Sequence, residues 1–147
     1  MLTVKTDSPT ATIDLGKRLG SLLKKGMVIT LQGDLAGGKT TFTKGIGLGL
    51  GIKQVINSPT FNILKIYEGR MKLFHIDAYR LKDSDYDLGL YEDLDEGVMV
   101  IEWPEYYCEY LPDEYLAISF RYLDDDHREI SLVAHGKDYE GVIEKLC

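Results

Sequence analysis

A glycine-rich turn between an apolar strand and a helix constrains the fold of this chain more than any other feature. Residues 33–40 read Gly-Asp-Leu-Ala-Gly-Gly-Lys-Thr and match the pattern G-x-x-x-x-G-K-[ST]. The preceding run MVITLQ, residues 27–32, is short and rich in β-branched residues, which predicts a buried strand. Apolar residues then recur at helical spacing from Lys39 to Leu50 and predict a helix. This order is typical of a phosphate-binding α/β domain.

The residues of this loop suit the binding of a nucleoside triphosphate. Glycines let successive backbone N–H groups point inward, and the helix that begins near Lys39 adds its positive end. We expect the Lys39 ammonium to contact the β and γ phosphates and the Thr40 hydroxyl to bind Mg²⁺. The predicted nucleotide-binding residues of this segment are Gly33, Asp34, Leu35, Ala36, Gly37, Gly38, Lys39, Thr40 and Thr41.

The expected nucleobase is inferred from a motif that the sequence lacks. GTPases of this class recognise guanine through an N/T-K-x-D element after a late strand, and this chain has none. We therefore expect ATP to be favoured over GTP.

Two acids follow predicted buried strands. Asp77 comes directly after LFHI, and Glu102 directly after VMVI. Open α/β sheets bind ligands at the carboxyl edge of their strands, so either acid is a candidate for holding Mg²⁺ or acting in catalysis, although each could simply begin a loop. His75 precedes Asp77 by two residues and shares its face. A packed or hydrogen-bonded histidine is favoured there over a catalytic base.

The remaining patterns predict a mixed sheet. Ser8 and Pro9 predict the start of a helix that ends at Gly26, and Lys82 to Gly97 is acidic and predicts a short helix with loops. Asp124 to Asp126 predicts a solvated turn rather than a cation site. Other strands are predicted at 61–67, 71–76, 98–101, 115–122 and 128–134, and other helices at 104–110 and 138–146. Short connections predict one hairpin from the strands at 61–67 and 71–76 and another from those at 115–122 and 128–134.

Composition limits the possible partners and location. With 147 residues we expect one domain, 1–147. Lys and Arg number 17 against 24 Asp and Glu, so the net charge of −7 disfavours direct binding to nucleic acid. No apolar run approaches the roughly 20 residues of a membrane span, and Met1 to Thr12 has no apolar signal sequence. Cys108 and Cys147 fit no metal or redox spacing, so the cytoplasm is the expected location.

Four motifs, in their order and spacing, resemble the TsaE family, the bacterial ATPases required for threonylcarbamoyladenosine in tRNA. They are GDLAGGKTTFTKG, NSPTF, HIDAYRL and VIEWPE, and the resemblance extends from Gly33 to near Gly136. One departure is that Ala36 and Gly37 exchange the order usual in the family loop. Both residues are small and lie in the unspecified part of the motif, so we expect little effect.

The resemblance implies a fold, a site and partners. The fold would be a three-layer P-loop α/β domain with a mixed parallel and antiparallel sheet. Thr40 and Glu102 would hold Mg²⁺, Asp77 would lie near the γ-phosphate, and Trp103 close to the nucleotide. Thr60, in NSPTF, would belong to a switch-like loop, although a simple turn is the competing interpretation. The partners would be TsaD and TsaB, with slow ATP hydrolysis resetting their complex and tRNA met only through it.

Other functional classes fit less well. A small-molecule P-loop kinase is the main alternative, but it would need an acceptor pocket and an arginine-bearing lid. The five arginines are dispersed, and of these only Arg80 and Arg128 are candidates for an arginine finger within the chain. A GTP-dependent switch lacks the guanine element. A scaffold without hydrolysis is disfavoured because the chain keeps all of the expected site residues, which are Lys39, Thr40, Asp77 and Glu102.

Overall fold

The computed structural model describes residues 1–33, 38–57, 63–81, 94–106 and 111–147. The described strands all belong to one sheet, and short 3₁₀ turns follow two of them, at Ala78–Leu81 and Pro104–Tyr106. The strands are β1 (Leu2–Thr6), β2 (Val28–Gly33), β3 (Leu64–Glu68), β4 (Lys72–Asp77), β5 (Gly97–Glu102), β6 (Tyr115–Tyr122) and β7 (Arg128–His135); the α-helices are α1 (Pro9–Leu22), α2 (Lys39–Gly49) and α3 (Lys137–Leu146).

The sheet combines a parallel centre with antiparallel edges. Its strand order is β1-β7-β6-β2-β5-β4-β3. Strands β6, β2, β5 and β4 run parallel, whereas β7, β1 and β3 pair antiparallel with their neighbours. The predicted α/β fold with a mixed sheet is therefore confirmed. Because β2 lies between β5 and β6, the chain changes direction across the sheet beside β2, and such a point opens a crevice at the carboxyl edge.

Strand alternation divides the core between the two faces of the sheet. On β4, Leu73 and His75 point to the face that packs on the helices, whereas Phe74 and Ile76 point to the other. All three α-helices contribute to the larger apolar cluster. The smaller cluster on the second face includes Ala78 and side chains from loops. A complete third layer stays a prediction, because residues 82–93 lie outside the described residues.

Glycines bring α1 and α2 into backbone contact. A Cβ built on Gly16 would lie 2.4 Å from the carbonyl oxygen of Phe42, and one on Gly45 would lie 2.2 Å from that of Ile13. Gly20 and Gly49 continue the same contact one turn further along each helix. The glycines that weaken α2 by propensity therefore let α1 pack directly against it, and this packing holds the helix that follows the phosphate loop.

Most predicted elements are present with small shifts at their ends. Ser8 caps α1 by accepting a hydrogen bond from the Ala11 N–H at 3.0 Å, as predicted. The edge strand β1 is not among the predicted strands, and the helix predicted from Pro104 is a 3₁₀ turn as far as Tyr106. Residues 107–110, the rest of that prediction, lie outside the described residues. None of the described helices is long and apolar enough to cross a bilayer.

Candidate nucleotide-binding site

Two glycines shape the ends of the turn between β2 and α2. Gly33 has a φ of 147°, and a Cβ there would lie 2.5 Å from the Phe120 carbonyl oxygen. Gly38 has a φ of 95° and precedes α2 without a side-chain cap for its first N–H groups. Those N–H groups and the helix dipole favour an anion. Residues 34–37, and with them the predicted contacts of Asp34, Leu35, Ala36 and Gly37, lie outside the described residues.

The lysine of the loop is folded across the end of β2. Its side chain is only 3% exposed. The Lys39 Nζ donates a hydrogen bond to the Gly33 carbonyl oxygen at 2.8 Å and lies 3.6 Å from the centroid of the Trp103 ring. Thr40 and Thr41 follow in the first turn of α2, both half-buried. The ammonium is therefore held against the Gly33 carbonyl oxygen and the Trp103 ring, and Lys39 itself is the first residue of α2.

The two predicted acids are brought together by strand register. Asp77 and Glu102 are directly paired residues of the parallel strands β4 and β5, and Glu102 is also paired with Leu31 of β2. All three therefore lie at the carboxyl edge and on the helix-packed face. Asp77 is half-buried and accepts a hydrogen bond from the Tyr79 N–H at 3.1 Å, whereas Glu102 is 4% exposed.

A buried histidine holds the second acid. His75 Nε2 lies 2.6 Å from Glu102 Oε2, and the His75 side chain has no exposed surface. Among the described residues, His75 Nδ1 has no hydrogen-bond partner. The sequence interpretation of His75 as a hydrogen-bonded histidine is thus confirmed. Its partner was missed, because His75 is not the register partner of Glu102 and only the strand order brings them together.

Trp103 turns the chain out of β5 beside the lysine. Its φ is 60°, a conformation uncommon for a residue with a bulky side chain, and its N–H donates to the Leu31 carbonyl oxygen at 3.2 Å. Its ring lies 5.2 Å from that of Tyr79 and 6.5 Å from that of Tyr106, centroid to centroid. The resulting aromatic group covers the edge of the sheet next to Lys39.

Arg128 lies beside the start of α2, which sequence position alone does not reveal. A Cβ built on Gly38 would lie 3.8 Å from Arg128 Nε and 3.9 Å from a methyl group of Thr12. Arg128 Nη1 donates to the His127 carbonyl oxygen at 3.0 Å, and its guanidinium carbon lies over the Tyr122 ring, 4.7 Å from the centroid. Of the two arginines that the sequence singled out, Arg128 is therefore near the loop. The Arg80 side chain and the whole of Thr60 lie outside the described residues.

The turn at Asp124 to Asp126 behaves as predicted from its sequence. The Asp124 Oδ1 accepts hydrogen bonds from the N–H groups of Asp126 and His127, both at 2.9 Å. In the part of the chain that the structure describes, no three His, Cys, Asp or Glu residues form a ready metal site.

Known proteins resemble this chain over most of its length. The family model described as threonylcarbamoyl adenosine biosynthesis protein TsaE matches residues 6–130. The protein named tRNA threonylcarbamoyladenosine biosynthesis protein TsaE from Bacillus subtilis (strain 168) is 45% identical over 144 residues, which cover 97% of this chain and 91% of that protein. The protein of the same name from Treponema pallidum is 48% identical, over 80% of this chain and 89% of the relative. The crystal structure of Bacillus subtilis YdiB superposes with a TM-score of 0.84 at 39% identity, covering 99% of this chain and 93% of that one.

Proposed function

The chain belongs to the TsaE family, and from that premise we propose that it binds and hydrolyses Mg²⁺-ATP as a subunit required for threonylcarbamoyladenosine modification of tRNA. The relatives' names supply the pathway. One observation supports the proposed ATP hydrolysis: two features that could act on a nucleotide lie at the same edge of the sheet. Lys39, at the N-terminus of α2, lies against Trp103, which directly follows the strand that ends in Glu102, and Glu102 is paired with Asp77.

The donor set at this edge fits Mg²⁺ bound together with a triphosphate. Mg²⁺ is usually held by one or two carboxylates plus phosphate oxygens and water, rather than by a cage made of protein alone. Glu102 supplies a buried carboxylate, and Thr40 supplies a hydroxyl in the first turn of α2. These two residues would hold the ion, which when bound neutralises phosphate charge.

The other residues are assigned by charge and position. Lys39 contacts the β and γ phosphates through its ammonium group. Asp77, paired with Glu102, lies near the γ-phosphate and orders water there. Trp103 lies against the nucleotide once Lys39 has turned to the phosphates, and Thr60 completes the γ-phosphate side. Preorganised charges of this kind act most strongly on the transition state, where phosphate charge shifts.

We infer that the activity is exerted on a complex of TsaD and TsaB. The net charge of −7 supports this arrangement, because the tRNA-binding surface can belong to the partners. ATP hydrolysis then resets the complex between rounds of modification, in the cytoplasm where tRNA is modified.

The test combines hydrolysis with modification. ATP and GTP hydrolysis are measured for the full chain, alone and titrated with a purified TsaB–TsaD pair, while tRNA modification is followed in parallel. We expect ATP to be hydrolysed slowly alone and faster with the pair, GTP to be hydrolysed poorly, and repeated modification to need the chain. The proposal fails if the pair leaves the rate unchanged and modification turns over without this protein.

A further inference from the structure

The hydrogen bond between His75 and Glu102 indicates a functional role for His75 in addition to its packing. From its geometry we propose that His75 is a positioning residue that fixes the Glu102 carboxylate for Mg²⁺-ATP. This inference rests on the proposed function, because it takes Glu102 as the carboxylate of the nucleotide site. His75 itself touches neither nucleotide nor metal.

The strand register explains how His75 reaches the Glu102 carboxylate. Asp77 is directly opposite Glu102 across the β4–β5 pair, and His75 is two residues earlier on the same face. The imidazole therefore reaches Glu102 diagonally from the interior of the sheet. It bonds to Oε2 at 2.6 Å, and among the described residues it is the hydrogen-bond partner of that carboxylate. Under the proposed function, the other oxygen, Oε1, would be the one available to Mg²⁺.

The environment of the ring identifies its tautomer. His75 Nδ1 is buried and has no partner among the described residues. A proton on Nδ1 would leave a buried N–H without an acceptor, which native proteins rarely tolerate. With the proton on Nε2, the ring donates to Glu102 Oε2 and leaves a lone pair at Nδ1. The bond therefore fixes one oxygen of the group that would bind a metal and so sets its orientation.

A carboxylate that is already ordered loses less freedom when it binds a metal. Glu102 is 4% exposed at the end of a strand, so the single bond from His75 governs how its carboxylate is turned. Outer partners of metal-binding groups typically contribute about 10–100-fold to affinity or activity. The Mg²⁺-dependent part of nucleotide binding is therefore the property that His75 should control.

The experiment uses a matched pair of substitutions in the full chain. His75→Gln keeps an N–H donor near the position of Nε2, whereas His75→Met has similar length and no donor. For each, the affinity of a non-hydrolysable ATP analogue is measured in Mg²⁺ and in EDTA, and the ratio of the two gives the Mg²⁺-dependent gain. We expect His75→Met to reduce the gain about tenfold and to raise KM for Mg²⁺-ATP with it, since KM follows the dissociation constant when hydrolysis is slow, while His75→Gln stays within about threefold of the parent.

Measurements in the Glu102→Ala variant distinguish a failure of this inference from a failure of the proposed function. In Glu102→Ala the gain should be lost, and adding His75→Met should change it no further. If Glu102→Ala keeps the gain, the assignment of Glu102 in the proposed function fails and takes this inference with it. If Glu102→Ala loses the gain but His75→Met keeps it, only the positioning role fails. Should His75→Met not fold, nitrogen NMR of the parent decides: Nε2–H supports the inference, and Nδ1–H overturns it.

Discussion

Under the proposed function, a bound triphosphate would replace the contacts that Lys39 makes in this structure. Its Nζ bonds to the Gly33 carbonyl oxygen, and its charge lies over Trp103. Lys39→Met keeps an apolar stem against the indole and removes the ammonium. Charge-assisted hydrogen bonds are worth about 1.5–3 kcal/mol, so we expect calorimetry to show ATP binding about 10–100-fold weaker. The melting temperature without nucleotide should stay close to that of the parent, and a large drop would mean that the lysine is chiefly structural.

The pair Asp124 and His127 gives the turn before β7 a pH dependence. His127 Nδ1 lies 2.8 Å from Asp124 Oδ1, and this hydrogen bond is the main cause that raises the pKa of His127 and lowers that of Asp124. The stabilisation from His127 is fully present below its unfolded pKa and is lost as pH rises through the raised value. That from Asp124 is present above its unfolded pKa and is lost as pH falls through the lowered value.

Both contributions are therefore present together from about pH 4 to 6.5. We expect an NMR titration of Asp124→Asn to show a lower His127 pKa than the parent. An unchanged midpoint would mean that the two side chains do not interact in solution. Both side chains are largely exposed, 51% for His127 and 62% for Asp124, so the turn, rather than global stability, is what this pair controls.

The sequence identifies a candidate residue of this site where a short local pattern marks it. Lys39, Thr40 and the two acids follow from the loop motif and from strand ends, both of which are short-range signals. The burial of Lys39 and the bond from His75 to Glu102 depend on which strands are neighbours. No spacing along the chain encodes those contacts, because they arise when β5 inserts between β2 and β4.

At the scale of elements, the sequence predicts helices and central strands better than edges. β1 reads Leu-Thr-Val-Lys-Thr, an alternating pattern whose apolar residues are half-buried. It pairs antiparallel with β7, so Leu2 meets Leu132 at the far end of the chain. Read alone, an alternating pattern of only five residues does not distinguish a strand from a disordered terminus. The contact that makes them a strand is long-range.

The glycine contact between α1 and α2 can be tested directly. In Gly16→Ala the new methyl group would lie 2.4 Å from the Phe42 carbonyl oxygen, so the helices must separate. Overpacking typically costs about 1–3 kcal/mol, against a gain of about 1 kcal/mol from helix propensity. We expect urea unfolding to show a net loss of stability. Gly141→Ala in α3 is the matched control, because nothing lies within 4 Å of its Cβ and it should stabilise. A stabilising Gly16→Ala would contradict the close approach.

For the whole molecule, topology explains why one edge collects the polar groups. β2, β5 and β4 are parallel neighbours, so their carboxyl ends meet at one edge, where the α2 N-terminus and the two acids lie. Aromatic rings adjoin that edge: Tyr79 is 42% and Tyr106 is 37% exposed, and their centroids are 5.7 Å apart. Tyr and Trp are favoured anchors in interfaces. Tyr79 and Tyr106 are distant along the chain, and only the fold brings their rings together.

The last prediction concerns this aromatic surface, defined as Tyr79, Trp103 and Tyr106. If the TsaB–TsaD pair docks here, it contacts the chain beside the nucleotide and can complete the site; a group supplied in trans adds about 10³–10⁵ to the rate in other P-loop systems. We expect Tyr106→Ala to leave basal ATP hydrolysis near that of the parent and to raise at least tenfold the concentration of the pair needed for stimulation, a loss of about 1.4 kcal/mol. Leu48→Ala is the control, since Leu48 is 52% exposed near the opposite end of α2. Equal stimulation of both variants would place the docking surface elsewhere.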